Sequence, residues 1–171
     1  MKQLLQQYAG YNVWANQKFI DRVIDLPEEL CTKELQSSFS SVQKTLLHLW
    51  DAEAIWWQRL KLAEHVNPPS VNFSGSIVEL CNNLARSSGQ WEDWIINTNE
   101  LNITHVFAYQ NSKKEQFKQP VYEMLLHLFN HQTYHRGQII TMFHELGVEG
   151  IPGTDFILYI RSKVPRKKKS E

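Results

Sequence analysis

Three histidines recur at every fourth position in the second half of the chain: His127, His131 and His135. At about 100° per residue, each is displaced by only about 40° around a helix from the last, so they form a stripe. On the same wheel Met124, Leu128 and Met142 lie beside His131 and His135. That pair therefore points toward a bundle interior, with His127 nearer the edge of the face. Two imidazoles one turn apart can grip a single metal ion, and imidazole suits zinc, nickel, copper or iron. The competing reading is a set of hydrogen-bonded core histidines, but burying several uncoordinated imidazoles is costly unless each finds a partner.

A third ligand has to come from outside this stripe. His65 sits at a helix end beside Pro-rich sequence, and His105 sits near a hairpin. His48, within Leu46-Leu47-His48-Leu49-Trp50, occupies the body of a helix. Only a buried helical position can face another helix's histidine pair, which favours His48 over the other two. His144 falls in a last helical turn, where a surface imidazole suits the helix C-terminus. Other chemistries lack their motifs. No Glu precedes a His by three, as carboxylate-bridged di-iron bundles require. His144-Glu145 opens a His-Glu-x-x-His pattern that Val148 fails to close. There is neither a Gly-rich phosphate loop nor a Gly-x-Ser-x-Gly elbow.

The elements that must position these residues are long helices. Periodicity predicts a first from about Gln3 to Asp25, stopped by Pro27, and a second from about Ser40 to Glu64, with Ser40 or Ser41 as N-cap. A third spans about Ser76 to Asn97, capped by Ser74 or Ser76. The fourth starts at Pro120 and ends at Gly147. Between the last two, Ile103–Lys118 reads as a short β-hairpin, and Thr154 is placed to cap a terminal helix over Asp155–Ser162. The fold class is all-α, a four-helix bundle with a hairpin between helices 3 and 4 and a short C-terminal helix. Trp50, Trp56, Trp57, Trp91 and Trp94 are assigned to core or interface packing.

The chain of 171 residues carries 18 Lys+Arg against 18 Asp+Glu, a net charge of zero that argues against nucleic-acid binding driven by bulk charge. Arg166, Lys167, Lys168 and Lys169 against Glu171 make residues 164–171 a basic tail, expected to be disordered, behind a single domain over residues 1–163 that is mildly acidic. Cys31 and Cys81 have no CxxC spacing, and no stretch has the length of a signal peptide core or a membrane span. A cytoplasmic protein is expected, with no membrane or nucleic-acid partner.

Four segments, in order, resemble the DinB/YfiT-like family of metalloenzymes along nearly the whole chain. Tyr11-Asn12-Val13-Trp14-Ala15-Asn16 resembles the family's first-helix signature, and His48-Leu49-Trp50-Asp51-Ala52-Glu53 its second-helix His motif. Asn130 to Gln138, with His131, Tyr134, His135, Arg136 and Gly137, is similar to its most specific signature, and Pro152 to Tyr159 to its C-terminal segment. Tyr134 stands where His is often found.

The resemblance implies one divalent metal bound by His48, His131 and His135, zinc in the first place, with nickel or another transition metal as alternatives. It also implies a small-molecule substrate, a low-molecular-weight thiol such as bacillithiol, mycothiol or glutathione, and a homodimer. The activity expected is transfer of that thiol to an electrophile. A metal-dependent hydrolase and a non-catalytic metal-binding stress-response scaffold are the alternatives. Tyr134, Gln138 and Asp51 are candidates for orienting ligands or donating a hydrogen bond, and Gly137 is expected to permit close helix approach.

Overall fold

The computed structural model describes residues 1–164, so the tail expected over 164–171 lies, but for Val164, outside the described residues. Four long helices dominate: α1 (Lys2–Ile24), α3 (Val42–Leu60), α4 (Ile77–Asn97) and α6 (Val121–Glu145). An antiparallel hairpin, β1 (Val106–Gln110) and β2 (Gln116–Pro120), precedes α6, with Val106 opposite Pro120 and Gln110 opposite Gln116. The expected architecture of four helices, hairpin and terminal helix α7 (Phe156–Ser162) is present. Three short elements were not anticipated: α2 (Glu28–Thr32), α5 (Glu100–Thr104) and a 3-10 turn over Pro69–Asn72.

The helix ends follow local chemistry. Ser41 Oγ accepts the Lys44 N–H, and Ser76 with Glu79 forms a complete capping box. Gly147, at φ +67, closes α6 as the N–H of Val148 reaches Phe143 O and that of Gly147 reaches His144 O. The end of α3 differs from the sequence expectation, stopping at Leu60 rather than Glu64. Ala63 N–H returns to Gln58 O and Leu62 N–H to Arg59 O, the same closure with exposed Leu62 at φ +54 where glycine is usual. A leucine in that conformation costs about 1–2 kcal/mol and leaves no signal in the sequence. Thr154 makes no cap for α7. Asp155 takes that position, and the Thr154 carbonyl instead accepts the Tyr11 hydroxyl at 2.8 Å.

Each long helix packs on two others: α1 on α4 and α6, and α3 on α4 and α6. Thus α1 faces α3, and α4 faces α6, across the diagonals. The core divides into two large apolar clusters, one around Phe19, Leu46, Leu84 and Phe143, the other around Leu5, Trp91, Leu125 and Phe129, and a small third of Tyr11, Ala15 and Tyr159. Where the two large clusters meet, every long helix contributes buried polar residues: Asn12 and Asn16 on α1, Glu53 on α3, Ser88 on α4, Gln132, His135 and Arg136 on α6; Thr45 on α3 is buried apart from them, within the first cluster. The bundle therefore carries a polar layer at mid-height. Gly137, at this level, does not serve close helix approach, because a Cβ there would meet nothing within 4 Å. No described helix is long and apolar enough to cross a membrane.

Candidate metal centre

Helix α3 brings His48 against the His131/His135 pair of α6 at mid-height. The three Nε2 atoms converge, with His48–His131 at 3.0 Å, His48–His135 at 3.2 Å and His131–His135 at 3.1 Å. Among the described residues this is the one cluster of three or more His, Cys, Asp or Glu side chains placed to hold a metal ion. The fit can be tested from these distances. The centre of such a triangle is about 1.8 Å from each nitrogen, close to the zinc–imidazole bond length of about 2.0–2.1 Å, so the three nitrogens would hold one ion together. The donor set fits a divalent transition metal.

Electrostatics favours the ligating form. Burial, then the neighbouring imidazoles, push His131 down to about 4, and burial followed by His135 does the same to His48. Burial also lowers His135, against a hydrogen bond to Gln138 that works the other way. At neutral pH all three are uncharged, with lone pairs available.

Gln138 Nε2 donates to Ser38 Oγ at 3.2 Å, which turns its Oε1 toward His135 Nδ1 at 2.7 Å. An amide oxygen can only accept, so Nδ1 holds the proton and Nε2 presents its lone pair to the centre of the triangle. His131 Nδ1 is buried without a protein partner among the described residues.

The other sequence candidates take different places. Asp51 accepts both the N–H and the hydroxyl of Ser70, at 2.9 and 2.5 Å, and so secures the turn over Pro69–Asn72. Tyr134 is 62% exposed, its ring edge-on to His135 at 5.0 Å. His127 is exposed and stands 5.8 Å from His131, ring to ring, beside Trp56. His65 is exposed at the far end of α3 and His105 is exposed beside the hairpin; neither joins the cluster.

Two features of the site were not read from the sequence. Phe39, in the segment joining α2 to α3, stacks on His48 at 4.1 Å and meets His135 edge-on at 5.5 Å, forming an apolar wall. It lies in no periodic segment, so only Ser-Phe-Ser between helices marks it. The second is the network beside the histidines. Arg136 Nη1 donates to Asn12 Oδ1 and Asn16 Oδ1, and Nη2 donates to Thr133 Oγ1. Asn12 Nδ2 and Ser88 Oγ donate in turn to Glu53, and Asn16 Nδ2 to Ser88. Glu53 is fully buried, and burial pushes its carboxyl up to about 7 against the pull of these hydrogen bonds and of Arg136. The signal available was Asn12 and Asn16, polar at i and i+4 within an otherwise apolar helix face.

Comparison with known proteins bears on the family and the fold. The model of the DinB family matches residues 1–169. Protein DinB of Bacillus subtilis (strain 168) is 32% identical over 159 residues, covering 88% of this chain and 90% of that protein. A crystal structure of a DinB-like protein from Bacillus cereus superposes with a TM-score of 0.69 at 18% identity, over 87% of this chain and 94% of that one, a likeness of fold.

Proposed function

The chain belongs to the DinB family, and from that premise we propose that it is a metal-dependent enzyme transferring a low-molecular-weight thiol to an electrophilic small molecule. The observation that carries this reading is the convergence of three neutral imidazoles with, among the described residues, no fourth protein donor in the cluster. A three-histidine set leaves a coordination position for a water or substrate, as catalytic sites do and closed structural sites do not. Bound there, a divalent ion, zinc in the first instance, supplies a +2 charge that three neutral ligands leave uncancelled, lowering the pKa of a thiol or water toward neutrality.

The protein's own residues do the rest. Gln138 keeps the proton on His135 Nδ1, so the ring meets the site as a base. Phe39 covers one side and Trp56, through His127, flanks the other, limiting water around a reacting sulfur. In the reaction a carbon–sulfur bond forms as the electrophile's leaving group departs, and the thiol proton passes to solvent.

Metal analysis of protein purified without an affinity tag tests the first step. Stoichiometric zinc or nickel is expected, and less than stoichiometric metal after either is offered rejects the reading. Bacillithiol, mycothiol and glutathione are then tested with an electrophile panel. Consumption that depends on added thiol supports transfer. Turnover without thiol assigns a hydrolase, and a loaded but inert protein assigns a scaffold.

A further inference from the structure

Beyond the histidines, α3 ends on a cation with no counter-charge. The Arg59 guanidinium lies over the Trp56 ring at 4.6 Å and near the Tyr109 ring at 5.4 Å, so helix α3 and strand β1 both hold it in place. Among the described residues no carboxylate comes within ion-pair distance of it. Its Nε–H is buried without an acceptor, a group that ordinarily costs about 1–3 kcal/mol to leave unpaired. Burial lowers its pKa, the direction expected of a cation stripped of water and given no anion. An arginine fixed on aromatic faces with donors unspent is preorganised to receive an oxyanion, since its planar fork matches carboxylate and phosphate.

Space for such a ligand is present. Arg59 lines a cavity of about 840 Å³ between the end of α3, residues 62–68 and the hairpin, within the range of small-molecule sites. Asn67 offers its side-chain amide on the same walls, where the Tyr109 hydroxyl and the Asn111 amide are engaged by Gln119 and Glu115. Glu64 also lines it, but is solvent-exposed and lies only 4.0 Å from His65. From Arg59 a run of ring contacts leads back to the triad: Trp56 to His127 at 5.5 Å, then His127 to His131 at 5.8 Å.

We propose that Arg59 anchors the carboxylate or phosphate group of a small anionic ligand seated in this cavity.

The test is a titration of the full-length protein with citrate and, separately, inorganic phosphate at constant ionic strength, reading the Arg59 Nε–H and Trp56 indole resonances by NMR. A saturable shift of both is expected. Saturation by citrate alone identifies a carboxylate ligand, and by phosphate alone a phosphate ligand. Arg59→Gln should weaken binding at least tenfold. Arg59→Lys, which keeps the charge but loses the fork, should fall between, and Glu64→Gln should bind no more weakly than wild type. Linear, unsaturable shifts with both anions overturn the proposal, as does undiminished binding by Arg59→Gln. Metal content measured on the same samples keeps a failure of the anion site separate from a failure of the metal site.

Discussion

Replacing Arg136 by Met should destabilise the protein in a way that depends on pH. Arg136 is 2% exposed, and its loss leaves Asn12 Oδ1, Asn16 Oδ1 and Thr133 Oγ1 without their donors. It also removes the cation that favours ionisation of Glu53. Breaking a buried charge arrangement from one side costs about 3–5 kcal/mol. For a chain of this length each kcal/mol is about 2–4 °C, so a fall in Tm of roughly 10 °C is expected. Glu53 sets the pH signature. Its folded-state pKa, about 7, lies above the ordinary carboxyl value of 4.5, so between these the folded state holds more protons and stability falls as pH rises. Without Arg136 the carboxyl moves higher still, and the mutant goes on losing stability above pH 7 where wild type levels off.

The difference between the two proteins should therefore be smallest near pH 5.5 and grow toward pH 8.5. Urea denaturation followed by circular dichroism across that range measures it. The histidine contributions are common to both proteins and cancel in the difference. A loss below about 1 kcal/mol, or one that does not change with pH, would refute the coupling of Arg136 to Glu53 through Asn12.

The remaining predictions concern the proposed metal centre. His48→Ala removes the cross-helix ligand and should reduce bound metal to a small fraction of stoichiometry by mass spectrometry; unchanged content would move the third ligand elsewhere. Gln138→Ala frees the His135 ring and should weaken metal affinity about 10–100-fold in chelator competition, with the fold unchanged by circular dichroism. His48 and His131 are lowered to about 4, so protons compete for their lone pairs only near that value. His135 is lowered too, by burial, so affinity should hold below about pH 6.5 and be lost as the pH approaches about 4, whereas a decline beginning above about 6.5 would show imidazoles with ordinary basicity.

Much of this was legible in the residues one after another. The His131/His135 spacing, the Ser41 and Ser76 caps, and the Pro120 and Gly147 boundaries are interactions within a turn or two, where neighbouring residue types decide the outcome. The exceptions at this range, Leu62 closing α3 and Thr154 failing to cap α7, arise because the chain's course elsewhere chose the local conformation. Tertiary structure alone decided the rest. His48 could be singled out on the sequence, but only packing brings it to His131, 83 residues away, joins Arg136 to Asn12, 124 residues away, and lays Phe39, covered by no periodicity, on His48. Which helices adjoin and which face across the diagonal follows from burying the two large apolar clusters at once, and that choice sets both polar groups at one level of the bundle. A sequence states which faces are apolar; only the packed bundle determines which polar groups meet when those faces close.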